Sequence, residues 1–545
     1  MTVEDLRLHP PGAASDRSGR RASSRARRRA RRGTALGIGL AILLGVVARF
    51  FTVSHLWLDE ALTVNIARLP IGEMFEALRH DGAPPLFYLL LHGWMDMAGT
   101  GDVAARVLPG LFSVASLPLI GLVGRRLVGD VEGNADGEAS AARWVSWAAV
   151  LLLASSPFAI HYATEVRMYS LVVLLVLAGF LALDIVRQRP SRPASVGLGL
   201  VTGLLLLTHY WAFFLVAVVA ALLGLRWRES GARRALLAMA VGSLLFVPWL
   251  PSFLEQMRTT GTPWGTPPKP RTVFDLVLQF GAGLPDTGLP LGLLLYALLA
   301  LGLFGFAGAV AGSGRPGPGI VVLDLRGRPP GRMLVAVAGL TMAMAVAVGR
   351  ITNSAFAIRY AAVVFPFVVL LAALGSAALA GSWVGPVVLG LAVALGFATS
   401  IPNAAGDRTS AGRVAAALRA EARPGDVVAY CPDQLGPSVS RMLPGASGLQ
   451  QLTFPRGTGP ELVDWVGYEA ANKAARSAPF ARMLVDEAGP EGTVWVVWAP
   501  NYRTFGTKCQ GLLTDLRALR PDERRVVKVS TNTFERPGLV RYRPN

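Results

Sequence analysis

Long apolar segments separated by short polar connections run through the first 400 residues of the chain. A helix needs about 20 mainly apolar residues to cross the hydrocarbon core of a bilayer. Segments of about that length lie near residues 34–53, 103–127, 143–161, 166–186, 194–208, 210–226, 234–252, 288–312, 333–349, 360–380 and 383–400. We therefore expect a mainly α-helical membrane protein with about eleven transmembrane helices in residues 34–400.

The charges along the chain predict its orientation. Of the 545 residues, 52% are hydrophobic and 16% are charged, and the formal net charge is +18. Most of the basic excess lies in an Arg- and Ser-rich tail, residues 1–33, and in short connections on the same side of the membrane. Because cytoplasmic loops carry an excess of Lys and Arg, we expect a multi-pass protein of the cell membrane with a cytoplasmic N-terminus. The tail is expected to be disordered and close to anionic membrane lipids, without a nucleic-acid partner.

The pattern changes after about residue 400, where the apolar runs become shorter. Residues 426–430 and 493–498 have the composition of buried strands, and residues 410–422 and 510–519 have helical spacing. We expect residues 401–545 to form a small α/β domain, which an odd number of spans places outside the cytoplasm. A Gly-rich phosphate loop is missing from this sequence, so nucleotide binding is not indicated.

The two cysteines, Cys431 and Cys509, both fall in this C-terminal region, each beside the end of a predicted element. An oxidising compartment permits such a pair to form a disulfide, whereas two cysteines alone cannot hold a structural zinc ion. We expect a disulfide between them, with two unlinked thiols as the alternative.

Residues 54–102 form the first outer loop, which is too long for a turn. Its apolar and polar positions alternate at helical spacing in three segments, so we expect amphipathic helices in the plane of the membrane interface. Asp59 and Glu60 follow the first span, and a Pro-Pro pair breaks the chain shortly after Asp81. Adjacent carboxylates at the edge of a bilayer are costly unless water, a cation or a substrate meets them. They mark a candidate reaction centre.

A second outer turn, residues 156–171, carries Glu165, Arg167 and Tyr169. Glu165 and Tyr169 are four residues apart, so we expect them to share a helix face, with Arg167 turned elsewhere. On this interpretation Glu165 faces the same cavity as Asp59. The alternative is a helix-end ion pair between Glu165 and an arginine.

These two segments resemble a known family, the polytopic GT-C glycosyltransferases of the protein O-mannosyltransferase and aminoarabinose transferase superfamily. The residues that carry the likeness are Asp59-Glu60, Asp81 with Pro84-Pro85-Leu86-Phe87-Tyr88, and Glu165-Val166-Arg167-Met168-Tyr169-Ser170-Leu171. The resemblance implies a GT-C fold and an inverting sugar transfer from a polyprenyl phosphate, with Asp59 as the catalytic carboxylate. It implies supporting roles for the other acidic positions. Where the family often has a histidine before the paired prolines, this chain has Ala83.

Such a transfer needs a base for the proton of the acceptor and cations for the lipid phosphate. We expect Asp59 to be the base and Glu60 and Glu165 to belong to the same catalytic group. The expected substrate-binding residues are His80, Asp81, Arg167, Tyr169, His209 and Arg359. Packing or helix capping is the alternative for His209, and snorkelling to lipid headgroups is the alternative for Arg359. A divalent metal ion held by Asp59 and Glu165 is another way to neutralise the phosphate.

The sequence therefore indicates a membrane glycosyltransferase, similar to mannosyltransferases, that acts on the outer face of the cell envelope. Its expected partners are a polyprenyl-phosphate-linked sugar and a glycan, lipid or protein acceptor. A polytopic transporter or flippase of an envelope precursor is the main alternative, since charges inside a membrane also mark transport pathways. Transporters tend to have two related halves, however, and this sequence has no internal repeat. A non-catalytic membrane sensor would leave the carboxylates without a purpose.

Overall fold

The computed structural model describes residues 32–129, 135–260, 265–282, 288–309, 316–443 and 448–544. Helices dominate the part of the chain before residue 406, and a five-stranded sheet with flanking helices follows. The expected disordered tail, residues 1–33, lies outside the described residues except for its last two positions.

The helices of the first part follow the apolar segments of the sequence. Their bounds are α1 Arg32–Ala48, α2 Leu58–Ala67, α3 Ile71–Asp81, α4 Leu86–Ala98, α5 Asp102–Val128, α6 Ala135–Ala154, α7 Pro157–Ala163, α8 Tyr169–Gln188, α9 Arg192–Leu206, α10 Ala212–Gly224, α11 Ser230–Ser243, α12 Leu250–Thr259, α13 Thr272–Ala282, α14 Leu289–Phe304, α15 Pro329–Ile351, α16 Phe365–Ala377 and α17 Val384–Ala405. A 3₁₀ turn, Leu244–Trp249, joins α11 to α12, and a second, Ile358–Val363, precedes α16.

Within the described residues, five helical stretches are long and apolar enough to cross a bilayer: Asp102–Val128, Tyr169–Gln188, Ser230–Thr259, Pro329–Ile351 and Val384–Pro402. A sixth consists of α6 and α7, with a bend of 55° between them. The other expected spans coincide with shorter apolar helices, namely α1, α9, α10, α14 and α16. The chain is thus a multi-pass membrane protein, and the number of about eleven spans stays a prediction.

The expected span over residues 288–312 is shorter in the structure. α14 ends at Phe304, and the chain continues as strand β1 (Gly305–Ala309), which pairs antiparallel with β2 (Pro316–Leu323). Glycine at the start of β1 and again at Gly308 explains the difference, because glycine weakens a helix. Apolar composition alone therefore does not predict a helix at this point.

The first outer loop contains three helices, α2, α3 and α4. α3 ends at Asp81, where Gly82, with a φ of 80°, closes the last turn in the left-handed conformation that favours glycine. Pro84 and Pro85 prevent the helix from continuing, and α4 begins at Leu86. Asp81 is thereby fixed at a bend between two helices.

The C-terminal region alternates strands with helices. Its elements are α18 Ala411–Glu421, β3 Val427–Cys431, α19 Gly436–Ser440, β4 Gln450–Thr453, α20 Tyr468–Ala474, α21 Ser477–Ala488, β5 Val494–Trp498, α22 Lys508–Leu519, β6 Asp522–Val527 and β7 Gly538–Arg543. The sheet has the order β4-β3-β5-β7-β6. β3 runs parallel to β4 and to β5, whereas β7 runs antiparallel to both of its neighbours.

Both faces of this sheet are covered. Side chains of a strand point alternately to opposite faces, and the continuous apolar run of β3 therefore supplies two cores. Val427 and Ala429 belong to a core with α21 and α22, whereas Val428 and Tyr430 belong to a core with α18. An apolar strand without alternation is typical of a strand buried between two helical layers.

The C-terminal region packs on the first outer loop. The short helix α19, which follows β3, lies against α2. The Asn65 side chain on α2 donates a hydrogen bond of 2.8 Å to the Glu461 carbonyl oxygen. The Trp465 N–H donates to the His80 carbonyl oxygen at 3.3 Å. The carboxyl end of β3 is thus held next to the helix that carries Asp59.

A disulfide joins Cys431, the last residue of β3, to Cys509 in the first turn of α22, and 78 residues of sequence separate the two. Both cysteines are buried. A cross-link that closes a loop of this length stabilises a fold chiefly by restricting the unfolded chain.

We predict that the double variant Cys431→Ala and Cys509→Ala loses roughly 2–4 kcal/mol of the stability of the C-terminal region, because the unfolded chain regains the freedom that the disulfide removes. Thermal unfolding of the purified protein followed by tryptophan fluorescence measures the loss. Wild-type protein treated with a reductant is the control and should reach the same lower transition. An unchanged transition in both samples would show that the disulfide contributes nothing to stability.

Candidate functional site

Asp59 and Glu60 occupy the first turn of α2, and their side chains enter different surroundings. Successive residues of a helix point about 100° apart. The Asp59 carboxylate is 17% exposed and faces the centre of the candidate site, whereas Glu60 is fully buried between helices. The pair of carboxylates that looks like one feature in the sequence is therefore two features in the structure.

Glu60 is held in a buried ion-pair network. Arg106 of α5 donates to both of its carboxylate oxygens, at 2.8 and 2.7 Å, and the Val166 N–H donates to one of them at 3.1 Å. The Arg408 guanidinium lies 3.8 Å away. Because other groups of the protein bind both oxygens of the Glu60 carboxylate, a supporting role is favoured over the catalytic role expected for it.

Asp59 pairs with Arg359, which lies in the 3₁₀ turn Ile358–Val363 before α16. The Arg359 Nη2 lies 3.2 Å from the Asp59 Oδ2, and both side chains are only 17% exposed. The guanidinium also lies 6.0 Å from the centre of the Trp57 indole, within the range of a cation–π contact. Arg359 therefore faces the site, and the snorkelling alternative does not describe its position.

Arg167 also faces the site, contrary to the expectation that it turns elsewhere. Its Nη1 donates to the Thr63 hydroxyl at 2.8 Å, and the Tyr88 hydroxyl donates to Asp81 at 2.8 Å. The Tyr88 hydroxyl lies 3.4 Å from the same Nη1. Burial raises the pKa of Asp81, although the positive charge of Arg167 and the Tyr88 hydrogen bond oppose the rise. Asp59, Asp81 and Arg167 thus share one polar cluster.

The helix face expected for Glu165 and Tyr169 does not form. α7 ends at Ala163 and α8 begins at Tyr169, so Glu165 and Arg167 lie in an irregular turn between two helices. This turn explains why Arg167 can point inward, because the 100° rule of a helix does not apply there. The expectation of a shared helix face required a continuous helix from Glu165 to Tyr169.

Glu165 has a histidine partner instead of the arginine that the alternative predicted. The His161 Nε2 lies 3.2 Å from its carboxylate. Burial by itself raises the pKa of Glu165, but the hydrogen bond and charge of His161, with the charges of Arg408 and Arg359, lower it overall. The Arg359 charge that acts on Glu165 belongs to the same guanidinium that pairs with Asp59, so Glu165 lies near the site.

Tyr169 and His209 belong to a cluster of aromatic rings that also includes Tyr360. The two rings are 5.8 Å apart, and His209 lies 5.5 Å from the Tyr360 ring. The His209 Nδ1 accepts a hydrogen bond from the Trp211 N–H at 3.1 Å, which agrees with the capping alternative.

Several buried polar atoms in this region have no hydrogen-bond partner among the described residues. They are the Tyr169 hydroxyl, the Glu165 Oε1, the Arg167 Nε and the His161 Nδ1. Buried polar groups are usually paired, so an accumulation of unpaired ones points to bound water or a ligand.

His80 is separated from this cluster. Its Nδ1 lies 2.8 Å from an Asp464 carboxylate oxygen, and its side chain is 44% exposed. Arg456 contacts the same carboxylate from the C-terminal region. The contacts of His80 therefore join the first outer loop to the C-terminal region instead of lining the candidate site.

The described residues contain no group of three or more His, Cys, Asp or Glu side chains arranged to hold a metal ion. The carboxylates expected as ligands, Asp59 and Glu165, each face a cationic or imidazole partner. Arginine supplies the positive charge next to Asp59 in this arrangement.

Sequence reasoning missed three further residues near the site, namely Arg408, Glu535 and Tyr502. Arg408 donates to the Thr164 hydroxyl and carbonyl, at 2.6 and 2.9 Å. Glu535 accepts from the Thr409 hydroxyl at 2.5 Å and from the Ser438 hydroxyl at 2.9 Å. Burial raises the pKa of Glu535 to about 7. Tyr502 is the third.

The position of Tyr502 follows from its electrostatic neighbours. Burial raises the pKa of the Tyr502 phenol, and the charges of Glu535, Asp433 and Asp59 raise it further. A Pro-Asn turn before Tyr502 is a weak signal for a residue exposed at a strand end.

The chain was compared with known proteins. The crystal structure of ArnT from Cupriavidus metallidurans bound to undecaprenyl phosphate matches with a TM-score of 0.58 and 15% identity, over 93% of this chain and 97% of that chain. The structure of the same protein in the apo state matches with a TM-score of 0.57 and 16% identity, over 94% and 98% of the two chains.

The protein O-mannosyltransferase Pmt1-Pmt2 complex of S. cerevisiae, bound to the sugar donor, matches with a TM-score of 0.32 and 14% identity over 42% of this chain and 36% of that chain, which is too weak to bear on the fold. No family model matches the chain, and no curated protein matches its sequence. The two ArnT structures cover nearly its whole length, and the chain therefore has the fold of ArnT.

Proposed function

We propose that this protein is a membrane glycosyltransferase that moves a sugar from a polyprenyl-phosphate donor to an acceptor outside the cytoplasm, with inversion at the anomeric carbon and Asp59 as the general base. The observation that carries the proposal is the partly buried Asp59–Arg359 pair, 3.2 Å apart, in a chain with the ArnT fold. One of those ArnT structures contains undecaprenyl phosphate.

The site brings together the two kinds of charge that such a reaction needs, the Asp59 carboxylate and the Arg359 guanidinium. A carboxylate can take the proton of the acceptor hydroxyl, and guanidinium groups can stabilise the phosphate that leaves. Asp59 pairs directly with Arg359, and the Thr63 hydroxyl accepts from Arg167 and donates to the Asp59 backbone carbonyl. The unpaired Tyr169 hydroxyl and Arg167 Nε supply further donors.

The proposed step balances without a further reagent. The acceptor oxygen attacks the anomeric carbon as the bond from that carbon to the phosphate oxygen breaks, and the bonding electrons leave with the polyprenyl phosphate. Asp59 takes the acceptor proton. Arg359 and Arg167 hold the phosphate, whose negative charge increases as the bond breaks. Attack from the face opposite the phosphate gives inversion.

The same proposal fixes the topology. The basic tail, residues 1–33, lies in the cytoplasm, and the transmembrane domain of residues 34–400 carries the site on the opposite side. Residues 401–545 form an extracytoplasmic domain. The acceptor is then a component of the cell envelope, and a mannosyl donor is the first one to test.

We predict that Asp59→Asn reduces sugar transfer at least 100-fold, because the amide cannot accept the acceptor proton. The assay uses purified protein in lipid nanodiscs and undecaprenyl phosphate carrying radiolabelled mannose or another hexose. It follows the release of undecaprenyl phosphate and the transfer of label.

The matched control is Asp96→Asn, which removes an exposed carboxylate from the end of α4 in the same loop. It should retain the wild-type rate, and the Asp59→Asn protein should unfold at the wild-type temperature. A fully active Asp59→Asn variant would rule out the proposed base.

We predict that Arg359→Lys and Arg167→Lys each weaken donor binding about tenfold or more, because lysine keeps the charge but loses the planar pair of donors that fits a phosphate. The donor KM in the same assay measures the effect. The exposed Arg350→Lys on α15 is the control. An unchanged donor KM in both site variants would place the phosphate elsewhere.

We predict a different result for Glu60→Gln, which should lower stability by about 3–5 kcal/mol, because it leaves the buried Arg106 and Arg408 without their counter-charge. Thermal unfolding measures the loss. The double variant Glu60→Gln and Arg106→Gln should lose less than the sum of the two single variants. If Glu60→Gln instead keeps full stability and loses only the chemical rate, Glu60 acts in catalysis.

A further inference from the structure

The guanidinium of Arg167 is held by the protein at one of its nitrogens. The Nη1 nitrogen of an arginine carries two N–H groups. In Arg167 this nitrogen donates to the Thr63 hydroxyl at 2.8 Å and lies 3.4 Å from the Tyr88 hydroxyl. Among the described residues, the Arg167 side chain makes its hydrogen bonds through Nη1 alone. Two hydroxyl groups therefore use both N–H groups of Nη1.

Each of these hydroxyl groups gives its own proton to another group. The Thr63 hydroxyl donates to the Asp59 backbone carbonyl at 2.6 Å, and the Tyr88 hydroxyl donates to the Asp81 carboxylate at 2.8 Å. A hydroxyl has one proton, so with the proton committed it can only accept from a further partner. Thr63 and Tyr88 thus present lone pairs to Arg167, and we name these two residues the hydroxyl clamp.

The Tyr88 side of the clamp is fixed in place. Tyr88 is fully buried in the first turn of α4. The Leu86 N–H, at the start of the same helix, donates to the Leu207 carbonyl oxygen at 3.0 Å. The Gln256 side chain of α12 donates to the Leu78 carbonyl oxygen at 2.7 Å, near the end of α3. The bend between α3 and α4 is therefore bonded to two other parts of the fold.

Tyr88 separates the Asp81 carboxylate from Arg167. A carboxylate in direct contact with an arginine commonly takes two parallel N–H groups from one edge of the guanidinium. Glu60 binds Arg106 in this way, through the Nε at 2.8 Å and the Nη2 at 2.7 Å. Because Asp81 is bonded to the phenol of Tyr88, it supplies negative charge near Arg167 without filling the corresponding edge.

The Nε–Nη2 edge of Arg167 is left for another partner. The Arg167 Nε is buried and has no hydrogen-bond partner among the described residues. Buried polar atoms are usually paired, so an unpaired one indicates a ligand or a bound water. An edge with two parallel N–H groups fits a carboxylate or a phosphate. Arg106 shows this edge filled by a carboxylate of the protein, and Arg167 shows it open.

We propose that the hydroxyl clamp turns the Nε–Nη2 edge of Arg167 toward the phosphate of the donor, which makes Thr63 and Tyr88 positioning residues. This inference rests on the proposed sugar transfer. Asp81 fixes the direction of the Tyr88 hydroxyl proton, so its part in substrate binding is indirect. Arg167 is the group that touches the phosphate.

The test measures binding of the lipid phosphate separately from turnover. Full-length protein is titrated with undecaprenyl phosphate and with undecaprenol, and native mass spectrometry measures the bound lipid. Tyr88→Phe and Thr63→Val should each weaken binding of the phosphate by about fivefold or more, because the arginine fork loses its fixed direction. Binding of undecaprenol, which has no phosphate, should not change.

Two controls separate the clamp from general packing. Thr63→Ser keeps the hydroxyl and should bind undecaprenyl phosphate as the wild type does. Tyr430→Phe removes another buried phenol hydroxyl, which donates to Gln451 in the C-terminal sheet, and should also bind as the wild type does. Equal phosphate binding by the wild type, Tyr88→Phe and Thr63→Val would overturn the proposal. An equal loss of undecaprenol binding would overturn it too, since the effect would then be structural.

Double variants test whether Tyr88 acts through Arg167. Adding Tyr88→Phe to Arg167→Lys should cause no further loss of phosphate binding, because lysine has no fork to position. Adding Tyr88→Phe to Arg359→Lys should multiply the two losses. Multiplied losses in the first pair would show that Tyr88 acts independently of Arg167 and would overturn the clamp.

Sugar transfer from undecaprenyl-phosphate hexoses in the same preparations distinguishes the two proposals. Tyr88→Phe and Thr63→Val should raise the donor KM and lower kcat by less than about twofold, since the clamp acts on the donor phosphate. If phosphate binding changes as expected but no sugar is transferred by the wild type, the proposed transfer is wrong and the clamp stands. If both variants transfer sugar with the wild-type donor KM, the clamp is wrong and the transfer stands.

Discussion

The position of Asp59 depends on the buried contact of its neighbour Glu60 with Arg106 and Arg408. Charges buried without partners are expensive, so such a network persists only when its geometry is nearly fully satisfied. Here the Glu60 carboxylate is bonded by Arg106 and by the Val166 N–H, while Arg408 bonds Thr164. The network joins α2, α5, the turn before α8 and the start of the C-terminal region. It thereby sets where the neighbouring Asp59 can lie.

This arrangement explains why two adjacent carboxylates have different surroundings and different proposed roles. Neighbouring side chains of a helix point about 100° apart, so Glu60 points into the network and Asp59 points away from it. Asp59 then has a single arginine partner at 3.2 Å and remains partly accessible. A carboxylate fully enclosed by arginines is a poor proton acceptor, whereas one in contact with a single guanidinium and an open cavity can exchange a proton with a substrate. The division of roles follows from burial.

The sequence predicted much of the fold because apolar length and periodicity are local properties. The helices of the first outer loop, strands β3 and β5, and helices α18 and α22 lie within a few residues of their expected positions. The inward direction of Arg167 could not be predicted, since it depends on an irregular turn that helical spacing conceals. Arg408 and Glu535 were missed for another reason. They are 349 and 476 residues from Asp59 in the chain, and only the tertiary fold brings them near.

The contact of Glu535 with α2 indicates that the C-terminal region is part of the site instead of an appendage to it. The helix carrying Asp59 has no side-chain cap of its own at Trp57. A carboxylate at the N-terminus of a helix satisfies an unpaired N–H and interacts favourably with the helix dipole. Glu535, from the far end of the chain, lies close to the Leu58 N–H at this end of α2. Any movement of the C-terminal region would therefore also change the surroundings of the first turn of α2, where Asp59 lies.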